Sequence, residues 1–254
     1  MINLILNRYP KKRPKLSLKL KKIHNLEYKL NRESKLVSFF EAWLHKSIKK
    51  IKKTKQKTLE IGAGTLNHVK YENLNKKKHL YDVIEPKNFL YKKSKLKRNI
   101  NKFYSNLDKT PNFFYDRIIS CATLEHLVDL PKFLAESSFK LNSKGFHSHS
   151  IPCEGCLSWN FVNRIIMGVL FKLRTGCNYN ELMRHEHVNK FKEIYELIKF
   201  FYKNVKLIYS FPLYFNRHFS FYANITFSEP RYANCKKYLK ILRKKSFNTD
   251  NKLY

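Results

Sequence analysis

The sequence predicts an α/β fold, in which a mostly parallel sheet of seven strands carries helices on both faces. Over residues 58–151, five short strand-like runs alternate with helical segments, which is the pattern of βαβ units. Two more strand-like runs, at 205–211 and 219–227, follow each other after a short connection and predict an antiparallel C-terminal hairpin. With 43% hydrophobic and 15% aromatic residues, the 254-residue chain can bury a sizeable core.

The individual elements follow from the spacing of the apolar residues. The five alternating strands are predicted at 58–61, 81–86, 101–105, 115–121 and 146–151. A helix is predicted from about Leu124 to Leu141, and Gly145 is expected to end it. A second helix is predicted from Phe191 to Tyr202, because apolar residues recur on one of its faces.

Composition divides the chain into three parts. Residues 1–57 are rich in lysine and predict a basic arm followed by one amphipathic helix over 27–51. Residues 58–230 form the main domain, in which 152–189 interrupt the alternation of strands and helices and predict a helical cap insertion. Residues 231–254 are predicted to be a basic, weakly structured tail.

The charge of the chain is strongly positive. The 52 basic and 19 acidic residues give a net charge of +33, which attracts phosphate groups of nucleic acid, anionic lipid or phosphorylated glycan. A second explanation is codon bias, because lysine greatly outnumbers arginine and Asn, Ile, Tyr and Phe are all plentiful.

The sequence also bears on location. Five cysteines are an odd number in a chain too long for a disulfide mini-scaffold, so we interpret them as reduced thiols. No apolar run approaches the roughly 20 residues of a membrane span. The longest run, 165–171, lies between Arg164 and Lys172, and the apolar residues 1–6 follow no positive region. These features predict a cytoplasmic protein.

The most informative stretch is a glycine turn after the first strand. Gly62 and Gly64 allow the backbone to approach a ligand closely, and Glu60 lies two residues before the turn. Glu85 follows about twenty residues later, at the end of the next strand, where a carboxylate would meet ribose hydroxyls. The third glycine of a dinucleotide site is missing, since Leu66 follows the turn, so the pattern favours a nucleoside without phosphates.

Five motifs in order resemble those of class I S-adenosylmethionine-dependent methyltransferases. They are Glu60–Thr65, Asp82–Pro86, Tyr115–Ser120, Leu124–Leu127 and Leu141–Gly145. The later helix and strand pair is similar to the closing hairpin of this family. The resemblance implies a Rossmann-like sheet, S-adenosylmethionine as cofactor and methyltransferase activity, of the small-molecule or glycan type with a domain similar to methyltransferase type 11.

The resemblance also implies roles for individual residues. Glu60 and the backbone of Gly62, Ala63 and Gly64 would line the methionine end of the cofactor. Glu85 would bind both ribose hydroxyls. The remaining cofactor-binding candidates are Asn106 or Asp108 at the adenine amino group, and Ser120, Cys121 and Ala122 close to the sulfonium.

Histidines are the candidates for a catalytic base. If the methyl acceptor is a hydroxyl or an amine, a base removes its proton, and a histidine titrates near neutrality. We predict His126 and His187 in this role, the latter within the run Arg184-His185-Glu186-His187. For both residues the alternative is a packing or capping role.

A cysteine and histidine group follows the fifth strand. Cys153 and Cys156, with His147 and His149 just before them, have a tolerable spacing for a four-ligand zinc site. The alternative is that both histidines are strand residues with polar roles. We favour this alternative, predict no metal, and expect chelators to leave stability and activity unaltered.

Three interpretations of function remain. The first is methyl transfer to a small-molecule, lipid-linked or surface-glycan acceptor, with peripheral contact to an anionic membrane through Lys11–Lys15, Arg243–Lys245 and apolar residues of the insertion. The second is an RNA methyltransferase that uses the positive charge, although no RNA-binding module is recognisable. The third is a non-catalytic S-adenosylmethionine-binding module, against which the complete set of Glu60, glycines and Glu85 argues.

Overall fold

A computed structural model describes residues 1–30, 42–48, 51–52, 54–212 and 216–250. Its centre is one seven-stranded sheet with the order β3-β2-β1-β4-β5-β7-β6. The strands are β1 (Gln56–Ile61), β2 (His79–Ile84), β3 (Lys102–Tyr104), β4 (Tyr115–Cys121), β5 (Leu141–Pro152), β6 (Tyr202–Pro212) and β7 (Ser220–Pro230).

The pairing of the strands confirms the predicted fold class. Strands β1 to β5 pair in parallel, whereas β7 pairs antiparallel with both β5 and β6. The chain builds outward from β1 to β3 and then crosses to β4 on the other side of β1. In open sheets of this type, ligands bind beside such a reversal, at the carboxyl ends of the strands.

Helices surround the sheet. They are α1 (Ile2–Arg8), α2 (Leu18–Leu30), α3 (42–47), α4 (Leu130–Ser137), α5 (Leu157–Asn160), α6 (Gly168–Thr175), α7 (Tyr179–Glu186), α8 (Phe191–Phe201) and α9 (Tyr232–Asp250). A π-helical segment, Phe161–Met167, joins α5 to α6, so the predicted insertion is helical over most of its length. Among the described residues, no helix is both long and apolar enough to cross a membrane.

The helix predicted after β4 is shorter than expected. Asp129 caps α4 by accepting a hydrogen bond from the N–H of Lys132, and a proline occupies its first turn, so the helix begins only at Leu130. Gly145 does not end this helix, because it lies inside β5. The register of β4 and β5 shifts there, and a Cβ atom on Gly145 would lie 2.8 Å from the carbonyl oxygen of Tyr115.

The sequence predicted a weakly structured C-terminal tail, and this prediction is wrong. It forms α9, in which Cys235 and Tyr238 are fully buried. The ring of Tyr238 packs edge-on against Phe201 of α8, with 5.6 Å between ring centroids. A few apolar residues at helical spacing are sufficient to dock a lysine-rich helix on the core.

The N-terminal arm is also part of the folded domain. Ile5 and Leu6 of α1 are buried in the main core, and the ammonium of Lys11 binds the carbonyl of Val188 and the carboxylate of Glu193 at 2.8 Å each. The single helix predicted over 27–51 falls partly outside the described residues. Its described portions are helical at 27–30 and at 42–47.

Candidate active site

A cavity of about 650 Å³ opens at the carboxyl ends of β1, β2 and β4. Its volume suits a ligand of nucleoside size. The glycine turn after β1, the loop after β2 and the loop after β4 form its walls, and the N-terminal segment adds Arg13 and His24. The topology therefore brings most of the predicted motifs to one place.

The glycine turn has the conformation that the sequence indicated. Gly62 and Gly64 have φ angles of +67° and +53°, which side chains rarely adopt. The N–H of Gly62 donates to the carbonyl of Ile84 at 2.8 Å, and a Cβ atom on Gly62 would lie 2.7 Å from Cγ2 of Thr123. The turn is thus packed between the loops after β2 and β4, and the backbone of 62–64 lines the cavity.

Glu85 lies directly beside this turn. One carboxylate oxygen accepts the N–H of Gly64 at 2.8 Å, and the other accepts the N–H of Lys87 at 2.9 Å. The residue is 8% exposed and lines the cavity. Because an ionised carboxylate can accept about four hydrogen bonds, Glu85 retains capacity for donors on a ligand.

Glu60 lies at the end of β1 and borders the cavity. Its carboxylate accepts a hydrogen bond from the hydroxyl of Tyr81 at 2.9 Å, and burial raises its pKa. His45 of α3, which the sequence analysis missed, also lines the cavity. Its Nδ1 lies 3.1 Å from Nδ1 of His68, and burial lowers the pKa of His45 to about 3.

The three residues predicted near the sulfonium, at the end of β4, do not all face the cavity. Cys121 and Ala122 line the cavity, and Ala122 has a positive φ of 48°. Ser120 does not line it, because successive strand residues face opposite sides. The hydroxyl of Ser120 is fully buried and lies 2.7 Å from Nδ1 of His149 instead.

Neither candidate for the adenine end lies in the cavity lining. The side chain of Asn106 accepts the N–H of Lys109 and so caps a short 3-10 helix, while Asp108 borders a separate surface depression near α9. Ser105 and Leu107, which alternate with them in sequence, line the cavity. The loop after β3 is therefore at the site as predicted, but the residues that line the cavity differ from the two predicted ones.

His126 and His187 lie next to each other, with 4.8 Å between their ring centroids. His126 lines the cavity, whereas His187 is absent from the lining. Nδ1 of His126 lies 2.8 Å from the carbonyl oxygen of Glu186, to which it must donate, so its Nε2 carries the lone pair. Burial, with a smaller contribution from His187, lowers the pKa of His126 to about 4.

His187 is held by a carboxylate. Its Nδ1 lies 2.8 Å from Oε2 of Glu154. Burial lowers the pKa of His187, but the hydrogen bond to Glu154 and the nearby carboxylates outweigh burial and leave the pKa raised.

Glu125 completes this cluster and was missed by the sequence analysis, although it belongs to the Leu124–Leu127 motif. It is 1% exposed, and within the described part of the chain neither carboxylate oxygen has a hydrogen-bond partner on another residue. Burial raises its pKa to about 7. One potential metal-ligating atom from each of Glu125, His126 and His187 lies within 4.8 Å of the other two.

Asn189 fixes the loop that carries the cluster. Its side-chain amide donates to the carbonyls of Leu124 and Leu127 at 3.1 and 2.7 Å, and its N–H donates to the carbonyl of Glu125 at 3.0 Å. The hydroxyl of Tyr9 in turn donates to its Oδ1 at 3.0 Å. These bonds join the loop after β4, the segment after α7 and the N-terminal segment.

Arg13 reinforces the same junction. Its guanidinium donates to the carbonyl of His126 at 2.6 Å and to the carbonyls of His185 and Glu186 at 2.7 and 3.1 Å. The N-terminal arm that the sequence analysis set apart from the main domain thus helps to build the site.

The cysteine and histidine group does not assemble as a zinc site in the described structure. Nδ1 of His147 lies 2.9 Å from Nε2 of His149, and Nε2 of His147 lies 3.1 Å from the hydroxyl of Tyr202. With Ser120 bonded to the remaining nitrogen of His149, all four ring nitrogens already have hydrogen-bond partners. The geometry supports the alternative of two strand residues with polar roles.

Known structures share this fold. No protein-family model and no curated protein sequence matches the chain. A S-adenosylmethionine-dependent methyltransferase from Thermotoga maritima is similar over 90% of this chain and 100% of its own, with 13% identity and a TM-score of 0.54. A second one, from Archaeoglobus fulgidus, is similar over 81% and 98%, with 15% identity and a TM-score of 0.50. The chain therefore has the fold of class I methyltransferases, as predicted.

Proposed function

We propose that this chain, which has the fold of class I S-adenosylmethionine-dependent methyltransferases, transfers a methyl group from that cofactor to a bound acceptor. The observation that carries the proposal is the position of Glu85. Its carboxylate is buried at the carboxyl end of β2, bonded to the glycine turn, and still faces a cavity of nucleoside size. A carboxylate at this place suits the two hydroxyls of a ribose.

The geometry of the glycine turn fits a cofactor without phosphates. A dinucleotide needs an α-helix N-terminus behind the turn to bind its pyrophosphate. Here Leu66 has a positive φ of 68°, and a five-residue 3-10 helix, Asn67–Tyr71, follows it. The N–H groups of 62–64 already donate to Ile84 and Glu85, so the turn offers close approach of its backbone but no α-helix dipole.

The chain's residues position the reactants. S-adenosylmethionine supplies a methyl group on a positively charged sulfur, and transfer needs little more than alignment of the acceptor with that methyl. Glu85 and the backbone of 62–64 hold the nucleoside and methionine parts, while Cys121 and Ala122 form the wall between them. His126, with the apolar Leu127 and Phe133, borders the end left for the acceptor. There the unprotonated Nε2 of His126 can accept a proton or bind a metal ion.

Transfer of a labelled methyl group tests this proposal. We expect the full-length protein to move label from S-adenosyl-[methyl-³H]methionine into an organic-soluble fraction of a cell extract, and Glu85→Gln to lose this transfer. Binding of the cofactor without transfer to any lipid, glycan or small-molecule fraction would favour the non-catalytic module.

A lipid-linked acceptor is favoured by the helical segment 157–175. Most of its apolar side chains face solvent, although helices on a globular domain normally bury an apolar stripe. The most exposed are Leu157 at 64%, Phe161 at 57%, Ile165 and Val169 at 54%, Leu170 at 56% and Leu173 at 80%. Such a segment suits the boundary between headgroups and acyl chains of a membrane.

Charge complements this apolar surface. Lys172 and Arg174 are exposed near the end of the same helical segment, on a chain with a net charge of +33. Each basic residue near an anionic bilayer surface contributes about 1 kcal/mol to binding, an attraction that salt screens. We therefore propose peripheral attachment to an anionic membrane, with the acceptor drawn from that surface.

Vesicle co-sedimentation checks the attachment. We expect the protein to bind vesicles that contain phosphatidylserine, to release them at high salt, and to bind poorly after Ile165→Asp or Leu173→Asp. Phe89→Asp is the matched control, because Phe89 is 65% exposed but lies outside the helical segment. Equal binding by all three variants, or none by the unaltered protein at low salt, would contradict the proposal.

The RNA alternative receives less support from the distribution of charge. A depression lined by lysines 55, 57, 76, 77 and 78 lies at the amino ends of β1 and β2. The cavity lies at the carboxyl ends of these strands, so this basic cluster and the cavity are at opposite ends of the strands. An RNA held there would keep its bases away from the cavity.

A further inference from the structure

Among the described residues, the buried carboxylate of Glu125 has no hydrogen-bond partner on another residue. Burying a charge or a polar group without partners costs free energy, and native proteins avoid it outside functional sites. Glu125 is 1% exposed, and among the described residues its two oxygens have no hydrogen-bond partner on another side chain or backbone group. Its neighbours are the rings of His126 and His187, each of which has a candidate ligand atom within 4.8 Å.

Both histidines are oriented as metal ligands usually are. A ligating histidine donates its other ring N–H to a carbonyl or carboxylate, which fixes the ring and the tautomer. His126 Nδ1 is bonded to the carbonyl of Glu186, and His187 Nδ1 is bonded to the carboxylate of Glu154, at 2.8 Å in each case. Nε2 is therefore the nitrogen that each ring has left for a ligand.

The charge around the histidines favours a cation. Three of the chain's 19 acidic residues, Glu125, Glu154 and Glu186, lie at these two rings. Arg13 and His24 partly offset them, since Arg13 binds the carbonyl of His126 and His24 Nε2 lies 3.1 Å from Glu186. The carboxylate of Glu125 itself has neither an arginine nor a lysine as a partner in the described structure.

We propose that Glu125, His126 and His187 bind a divalent transition-metal ion at the acceptor end of the cavity. This proposal replaces the sequence-based prediction that the chain binds no metal and that chelators leave its activity unaltered. Two imidazoles and one carboxylate suit Zn²⁺, Mn²⁺ or Fe²⁺ and leave further coordination positions open. Ligand bonds of about 2.1 Å would draw the three donor atoms closer together than they lie now. The site would lie beside the cavity, because His126 lines it.

This site deepens the proposed methyl transfer and rests on it only for the identity of the acceptor. A hydroxyl oxygen at an open position would have a lowered pKa. Its proton leaves to water as the oxygen–methyl bond forms, the methyl–sulfur bond breaks and the electron pair of that bond stays on sulfur. The inferred acceptor class is therefore a hydroxyl compound.

Calorimetric titration of the full-length, chelator-treated protein tests the site. We expect ZnCl₂ or MnCl₂ to bind with one ion per chain, and Glu125→Gln and His187→Ala to weaken binding by at least about 100-fold. Glu154→Gln should weaken it by about 10- to 100-fold, because it only orients His187. His185→Ala is the matched control, since its Nδ1 contacts the carbonyl of Pro14 and it should bind as the unaltered protein does.

Melting temperature and cofactor binding are two further measurements that separate loss of the metal site from loss of the fold or of cofactor binding. Without metal, Glu125→Gln should melt no lower than the unaltered protein, because it removes an unpartnered buried carboxylate, and it should lose the rise in melting temperature that the ion produces. Absence of ion binding by the unaltered protein, or equal binding by Glu125→Gln, overturns the proposal. S-adenosylhomocysteine titrated into the same metal-free protein tests the proposed function separately, because the three ligands are not among the residues proposed to bind the nucleoside, which are Glu85 and the glycine turn.

Discussion

Glu85→Gln is expected to weaken the binding of S-adenosylhomocysteine by about 10- to 150-fold. A carboxylate that bonds ribose hydroxyls makes charge-assisted hydrogen bonds, whose loss costs about 1.5–3 kcal/mol. The amide also cannot accept the N–H groups of both Gly64 and Lys87, which the two carboxylate oxygens now accept. The ligand and the glycine turn lose support together.

Two controls separate this role from general charge effects. Asp108→Asn removes a charge, and Asn106→Ala removes a polar side chain, from the loop after β3, where neither residue lines the cavity. Both variants should bind S-adenosylhomocysteine as the unaltered protein does. Unchanged affinity in a folded Glu85→Gln variant would show that Glu85 does not bind the nucleoside.

Asn189→Ala is expected to lower the free energy of unfolding by about 3 kcal/mol and to disorganise the acceptor end of the cavity. The change leaves the hydroxyl of Tyr9 and the carbonyls of Leu124 and Leu127 without their bonds to Asn189, and each unsatisfied buried group costs about 1–3 kcal/mol. Denaturant unfolding measures the loss.

Tyr9→Phe is the matched control for this junction. It removes one of the bonds to Asn189 and should cost about 1 kcal/mol. Because the two residues share that bond, the double variant should be little less stable than Asn189→Ala alone. Full additivity of the two losses would contradict the network.

The parts of the fold that the sequence predicted depend on short-range patterns. Strand β4 was predicted at its observed bounds, since it contains a tyrosine and two adjacent isoleucines, which favour strands. The turn at Gly62 and Gly64 was predicted because only glycine adopts its positive φ angles readily. The position of Glu85 was predicted for a related reason, because parallel strands place the end of β2 beside that turn.

The missed features depend on long-range contacts. Glu125 is adjacent to a predicted residue, but its isolation becomes visible only when Asn189 and Arg13 close the loop around it. The burial of Tyr238 in α9 depends in the same way on Phe201 of another helix. Side chains alternate between the two faces of β4, and this alternation turns Ser120 away from the cavity. The resemblance to a family did not indicate which residues of β4 face the cavity.

Calorimetric titration of the unaltered protein with S-adenosylhomocysteine and, separately, with NAD tests the central claim most directly. Glu85 at the end of β2, the glycine turn and the 3-10 helix after it predict one binding site for S-adenosylhomocysteine and no heat of binding for NAD. Binding of NAD with no response to S-adenosylhomocysteine would contradict the account.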